Sequence, residues 1–550
     1  MKKRDLANCN NSPVCNIVNI GASYKKKSVL RALPDNLRKC HENRTIWIHD
    51  LEYYDSTYNC IGLNPSDLIE KDVCSFSSAC RSLFRGIVEL TNSQSGGIGF
   101  IDFDSDMAQY IVDESDKQIT EELYQLLLDL NIYVRKGCEM AYVTFNFGLC
   151  TGCNGRRISK ALLSSFSRKQ FIFPNLVLKV KKVINGLKND TNYDIYCQAS
   201  KITALCMNPT YLNMDAEYNK DIPENEFGIM GCRTRVASNL FHNTSSLKRG
   251  NIAAVTINLV QLAIKSNNNP QEFDNLLFET MCSAKTLLLH RFHTLCQKGC
   301  FDYICKHNLY IDCENSDTSN FLKNGTLSIG FIGLWDAILV LYNLDTANQK
   351  NNYDYFNKAY AIVQKMRKIT NEFSEKEKLN YSLLASSAEG VSGYFYEHDS
   401  NCFDSKLPVF SKGHYTNSFH IPVSNQLSCF EKISLEAPFH KLCNGGHITY
   451  IELNEIPFGN SEAIRELVDF ACEHDIGYFG INFPLDICNT CGEKGLFVSK
   501  CKRCGSTDIK SLRRVSGYLS EIENFAFGKK SELTHRKPNT NFQEFKINDT

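Results

Sequence analysis

Cys488-Asn489-Thr490-Cys491, a nine-residue spacer, Cys501-Lys502-Arg503-Cys504, and then Arg513-Arg514-Val515-Ser516-Gly517-Tyr518-Leu519 form the stretch on which the reading of this chain turns. Each Cys-x-x-Cys knuckle puts two thiolates on one tight turn, and two knuckles this close complete a tetrahedral four-sulfur site for Zn²⁺. Cys488, Cys491, Cys501 and Cys504 are therefore candidate ligands of a structural zinc, because four thiolates leave no coordination position open for chemistry. Gly517 lies thirteen residues past Cys504. Taken alone, it reads equally well as a turn glycine after a zinc ribbon.

The bulk numbers narrow the field. With 550 residues, 43% hydrophobic and 22% charged, the composition is that of an ordinary globular protein. The length fits about three or four domains unless one large barrel takes most of it. Lys+Arg equals Asp+Glu at 61 each, so there is no global basic field of the kind non-specific nucleic-acid binding needs. No apolar core follows the charged N-terminus, and no apolar run reaches the ~18 residues of a membrane span. A cytoplasmic protein is expected, with its 25 cysteines reduced and mostly acting as small core hydrophobes.

Strand and helix patterns alternate along the chain. Thr45 to Tyr54 alternates like a strand, after one helix expected around Ser28 to Cys40. A glycine turn, Gly96-Gly97, leads toward a short strand at Asp102-Phe103-Asp104. Asn251 to Leu259 and Leu327 to Leu334 read as buried strands, and Glu272 to Phe292 as a long helix. Ser461 is placed as the N-cap of a helix that Gly477 stops, with a strand from Tyr478 to Phe483. Such alternation means parallel strands joined by crossovers, an α/β fold.

Against that background, Arg-Val-x-Gly-Tyr after a four-cysteine site resembles the glycyl radical motif of anaerobic ribonucleoside-triphosphate reductases. A backbone Cα radical is stabilised by delocalisation into both flanking amides, which needs planarity and no Cβ; glycine alone meets that demand. The resemblance spans roughly residues 30 to 537 and keeps the family's order. His49-Asp50-Leu51-Glu52-Tyr53-Tyr54 is similar to a family segment, and Cys60 sits where that family carries a cysteine on the substrate face. Gly231-Cys232-Arg233-Thr234 resembles the finger loop whose cysteine becomes a thiyl radical. Ser386-Ser387-Ala388-Glu389-Gly390, His414 to His420 and Asn444-Gly445-Gly446 resemble its substrate loops, while residues 92 to 150 match weakly.

The resemblance implies a ten-stranded α/β barrel of two parallel half-barrels with internal finger loops, plus a small C-terminal zinc-ribbon and glycyl radical domain. The expected division is an arm over 1–40, a catalytic barrel over 41–484 and the C-terminal domain over 485–550. About forty residues before the first barrel motif are too few for the family's ATP cone. Gly517, Cys232 and Cys60 are the implied catalytic residues. Thr416, Asn417, Ser418, His420, Asn444, Gly445, Gly446, Glu389, Asn251 and Asn258 are the implied substrate ligands. A radical-SAM activating enzyme installs the radical on Gly517, Cys232 takes the ribose 3′-hydrogen, and formate is the reductant. Ribonucleoside triphosphates, deoxynucleotide effectors and a second copy in a homodimer are the implied partners, with neither nucleic acid nor membrane among them. The competing readings are a pyruvate formate-lyase type of glycyl radical enzyme, a nucleic-acid-binding zinc ribbon, and a relative that only binds nucleotides.

Overall fold

Two runs of five parallel strands form the frame. The computed structural model describes residues 9–10, 12–315, 317–344, 353–387, 390–515 and 517–539. After an antiparallel strand β1 (Ile46–Ile48), the first run is β2 (Ile61–Leu63), β3 (Ile98–Phe100), β4 (Val143–Phe147), β5 (Asn175–Val180) and β6 (Thr210–Asn213), neighbours in chain order. A hairpin, β7 (Ile229–Met230) and β8 (Thr234–Arg235), follows. The second run is β9 (Asn251–Asn258), β10 (Thr326–Ile332), β11 (Asn380–Ala385), β12 (Thr449–Glu452) and β13 (Tyr478–Asn482). Parallel strands need long crossovers, here carried by helices such as Phe76–Thr91, Cys153–Ser167, Tyr193–Cys206 and Pro270–Lys298. The strands read as continuous apolar runs because helices cover their outer face and side chains fill the inner one. β10 is buried along its whole length.

The runs meet head to tail. β13 pairs antiparallel with β6, and at the other seam Gly62 bridges Arg249 while Cys60 N–H donates to Asn251 O at 3.2 Å. Within the second run, β11 joins β12 through a single parallel bridge from Leu384 to Gly446. The ring therefore has ten strands in two half-barrels, and the β7–β8 hairpin threads its interior. Room for that hairpin comes from glycines on the barrel wall: a Cβ on Gly99 would lie 2.8 Å from Met230 Cγ, and one on Gly62 would lie 2.7 Å from Met230 Cε.

Beyond the barrel, β14 (Leu485–Cys488), β15 (Lys494–Gly495), β16 (Ile509–Arg514) and β17 (Leu519–Glu521) make an antiparallel sheet in the order β15-β14-β16-β17. The chain ends its described part in helix Phe527–His535, which returns to helix Val391–Cys402. The two cross backbone to backbone, since a Cβ on Gly393 would lie 2.8 Å from Gly528 Cα. Among the described residues no helix is long and apolar enough to cross a membrane.

Several local expectations are corrected. The strand expected to reach Tyr54 stops at Ile48, because Asp50 turns left-handed (φ 48°) and its carboxylate accepts from Asn59 Nδ2 (2.6 Å) and Ser95 Oγ (3.0 Å). The single helix expected over 28–40 is two, Pro13–Ala32 and Asp35–Glu42. Pro34 forces Leu33 into extended backbone and ends the first helix there. The short strand expected at 102–104 falls earlier, at β3, and Phe103–Met107 is helical. Asn460, not Ser461, caps its helix, its side chain accepting from Ala463 N–H at 3.2 Å.

Candidate active site

The finger is the β7–β8 hairpin. Met230 pairs with Thr234, so Gly231, Cys232 and Arg233 form its tip. Three polar side chains on neighbouring barrel strands hold it. Asn146 of β4 pairs amide to peptide with Ile229, accepting its N–H at 2.8 Å and donating to its carbonyl at 3.0 Å. Thr144 Oγ1 and Asn175 Nδ2 both donate to Gly231 O, at 3.0 and 3.4 Å. Gly231 has φ 59°, a left-handed conformation natural to glycine. Buried polar groups within an apolar strand need partners, and Asn146 between two phenylalanines was a readable signal that something polar packs inside the barrel.

A second hairpin approaches this tip. β16 and β17 pair Arg514 with Leu519, so Gly517 lies in the loop between them, and it is buried. Tyr518 packs its ring on Tyr142 (5.3 Å between centroids) and Phe173 (5.0 Å). Its hydroxyl is 3.0 Å from where a Cβ on Gly231 would be. Tyr450 of β12 donates to Gly517 O at 3.4 Å, and burial raises its pKa, with Cys232 adding to the effect and Arg514 and Arg233 opposing it. The residue after Gly517 thus touches the residue before Cys232.

One cavity of about 730 Å³ opens on the finger tip. Cys60, Gly231, Cys232, Asn251, Ser328 and Leu384 line its depth, and Tyr518 also lines it. Cys60 Sγ lies 3.9 Å from Met230 Sδ. Burial pushes the Cys60 thiol up to about 12, so it stays protonated at neutral pH. At the strand ends His49 Nε2, Thr256 Oγ1 and Ser386 Oγ form a chain with spacings of 2.8 and 2.7 Å. Burial raises Asp50, but Arg291, His49 and two hydrogen bonds outweigh it, and the carboxyl is held below its usual range. Among the candidates named from sequence, Cys60, Cys232 and Asn251 share this cavity.

Two of the three expected substrate loops lie elsewhere, whereas Ser386, Ser387 and Gly390 of the third line the cavity. Thr416 gives its N–H (2.7 Å) and Oγ1 (2.6 Å) to buried Asp336. Asn417 donates to Glu532 of the C-terminal helix at 2.8 Å. Ser418 is fully buried with φ 43°, and His420 is sandwiched between Glu436 (3.2 Å) and Arg233 (3.4 Å). Asn444 accepts from Leu383 N–H at 3.0 Å, Gly445 N–H donates to Leu383 O, and Gly446 packs on Arg233 O. These loops brace β11 and the finger, and none of the seven residues lines the large cavity. Asn258 is likewise buried, capping its helix and donating to Asp399 at 2.7 Å. Glu389 lies outside the described residues.

The four knuckle cysteines converge. Their sulfurs all lie within 4.8 Å of one another, with Cys488 and Cys504 3.5 Å apart and Cys491 and Cys501 3.6 Å apart. Four sulfurs about 2.3 Å from one ion stand about 3.8 Å apart, so the set fits Zn²⁺. Each knuckle closes alike, through Gly492 N–H to Cys488 O (2.9 Å) and Gly505 N–H to Cys501 O (3.0 Å).

This fold is shared with solved proteins that include a glycyl radical enzyme. A glycyl radical enzyme from Archaeoglobus fulgidus superposes with a TM-score of 0.56 at 11% identity, over 96% of this chain and 74% of that one. The anaerobic ribonucleotide reductase from Thermotoga maritima, solved in complex with dATP and CTP, superposes with a TM-score of 0.74 at 16% identity, over 95% and 91%. In sequence, the anaerobic ribonucleoside-triphosphate reductase of Enterobacteria phage T4 is 28% identical, over 92% of this chain and 91% of its own length. The model of the anaerobic ribonucleoside-triphosphate reductase family matches residues 5–538, and the chain belongs to that family of oxidoreductases.

Proposed function

We propose that this chain reduces ribonucleoside triphosphates to 2′-deoxyribonucleoside triphosphates by a hydrogen-atom relay between Gly517, Cys232 and the ribose. The observation that carries the reading is the meeting of two hairpin tips, with Tyr518 against Gly231, at the floor of a cavity that also holds Cys60. A radical-SAM activase removes a Cα hydrogen from Gly517. The glycyl radical then takes the S–H hydrogen of Cys232, and the thiyl takes the ribose 3′-hydrogen. Cys60, kept as a neutral thiol by burial, supplies a hydrogen atom as the 2′-hydroxyl leaves as water. Formate closes the balance: substrate and formic acid become deoxynucleotide, carbon dioxide and water. The barrel excludes water that would quench radicals.

In the same reading, Cys488, Cys491, Cys501 and Cys504 hold one structural zinc that stiffens the base of the Gly517 hairpin. The functional division is an arm over 1–40, a barrel over 41–484 and a radical domain over 485–550. Deoxynucleotides act as specificity effectors, and two copies form the working dimer. Anaerobic activation followed by electron paramagnetic resonance is the test: a glycine-type doublet is expected, together with ¹⁴CO₂ released from labelled formate in step with CTP reduction. Turnover driven by a dithiol without formate would overturn the reductant, and a doublet persisting in Gly517→Ala would overturn the relay.

A further inference from the structure

The cavity runs outward from the cysteines past Ser386 and Ser387, then along one face of helix Val391–Cys402, where Gly390, Tyr394, Glu397, His398 and Asn401 line it. Four lysine and arginine side chains border the whole space: Lys26, Arg44, Arg135 and Lys136. Three already have carboxylate partners. Lys26 pairs with Glu52 at 3.2 Å, and Arg135 and Lys136 both pair with Glu139, at 3.0 and 3.2 Å. Among the described residues no carboxylate lies within ion-pair distance of Arg44, and Arg44 sits on the branch that helix Val391–Cys402 walls.

Arg44 is also held in place. Its backbone is left-handed (φ 57°), an uncommon state for a residue with a long side chain. The turn is fixed from both sides: Arg44 N–H donates to His41 O at 3.2 Å, and Arg44 O accepts from Asn258 Nδ2 at 3.3 Å. Asn258 is in turn bonded to Asp399 of helix Val391–Cys402, which ties the arginine turn to the cavity wall. The guanidinium spends one donor on His41 O (2.7 Å) and lies 5.0 Å over the Trp47 ring, itself stacked on Tyr394 at 5.5 Å. A guanidinium has five N–H donors in a planar fork. Most of that fork remains for a ligand, already ordered before the ligand arrives.

We propose that Arg44 is a specificity-determining residue that reads the terminal phosphates of the substrate, so that the enzyme takes triphosphates in preference to diphosphates. This rests on the cavity being the substrate site, as proposed above. With the ribose at Cys60 and Cys232, the outward branch is where a 5′-phosphate chain extends. A fixed cation there, whose neighbouring carboxylate Glu42 acts on it from beyond ion-pair distance, favours the more highly charged tail. Helix Val391–Cys402 points its N-terminus at the same branch with no acidic residue in its first turn, which adds a favourable field.

The test is calorimetric binding of CTP and of CDP to the anaerobically purified, unactivated full chain in the presence of dATP, for wild type, Arg44→Gln and Arg44→Lys. Wild type should bind CTP more tightly than CDP. In Arg44→Gln the CTP affinity should fall about 10- to 100-fold, the loss of a charge-assisted contact, and the CTP/CDP preference should collapse; Arg44→Lys should recover part of it. A CTP/CDP ratio unchanged in a folded Arg44→Gln overturns the proposal while leaving the cavity's role intact. Equal loss of CTP, CDP and cytidine binding would assign Arg44 to base stacking with Trp47 and overturn it too. If wild type binds neither CTP nor CDP, the cavity is not the nucleotide site, and this inference falls with the proposed function.

Discussion

Two hairpin tips meet in this protein, and they are mounted in opposite ways. The finger, β7–β8, is clamped inside the barrel by Asn146, Thr144 and Asn175, by glycines that let the wall come close, and by a bridge from Thr234 to Gly446. The Gly517 hairpin, β16–β17, grows from a small sheet outside the barrel. At its tip it is touched by Tyr450 and by the aromatic neighbours of Tyr518. The fixed tip carries the Cys232 thiol that lines the cavity, and the cantilevered tip carries Gly517. In the proposed relay, where a separate activating protein must reach Gly517, the second kind of mount suits that residue.

The strongest way to break this comparison is to disable each tip alone. Gly517→Ala should abolish both the radical signal and turnover, whereas Cys232→Ala should keep the full glycyl doublet and lose all turnover. Spin counts and product assays on the two variants separate them; equal loss of signal in both would mean that the tips are not sequential. Next in size is the cantilever's base. Cys491→Ser should lower bound zinc below one per chain by metal analysis and lower radical yield at least several-fold, while nucleotide binding persists because the finger and cavity stand on the barrel.

Smaller effects sharpen the fixed side. Gly99→Ala sets a methyl 2.8 Å from Met230 Cγ, so it should cost ~1–3 kcal/mol as overpacking, read as a lowered melting temperature and a reduced kcat with radical yield unchanged. Acid should act there too. His447 follows the Gly446 bridge, donates Nδ1–H to Cys443 O at 2.8 Å, and burial lowers its pKa to about 3. Tyr218, Arg235 and His440 face it. The unfolded chain accepts a proton near pH 6.5 that the folded chain refuses, so stability falls as pH drops from about 6.5 toward 3, by about 1.4 kcal/mol per pH unit from this group. Thermal melts from pH 7 to 5.5 should show the decline, and His447→Gln should make it shallower, the rest coming from other buried histidines such as His41 and His440.

The sequence made the mounts partly legible. Cys-x-x-Cys spacing is read without a structure because two short turns bring the ligands together whatever the surroundings. The alternation of apolar strands and helices likewise announces parallel strands joined by crossovers, since each element carries its own periodicity, while the closed barrel is implied only by the family resemblance. The loops at Thr416 to His420 and Asn444 to Gly446 were harder. Small hydroxyl, amide and glycine residues are as suited to bracing a backbone as to holding a phosphate, and the choice depends on Asp336, Glu436, Glu532 and Arg233, all distant in sequence. Arg44 escaped for the converse reason: nothing in an arginine beside Glu42 announces that this carboxylate pairs with Arg38 instead.

The crossing of helices Phe527–His535 and Val391–Cys402 at Gly528 and Gly393 carries its own consequence. Backbone lies on backbone there, so closing the joint freezes no side-chain rotamers at the point of contact, and little entropy opposes seating or lifting. The joint is selective by shape alone: one methyl at either position is a wedge. Because the same helix walls the cavity and seats the tail, whatever presses that helix outward also loosens the last described segment of the chain.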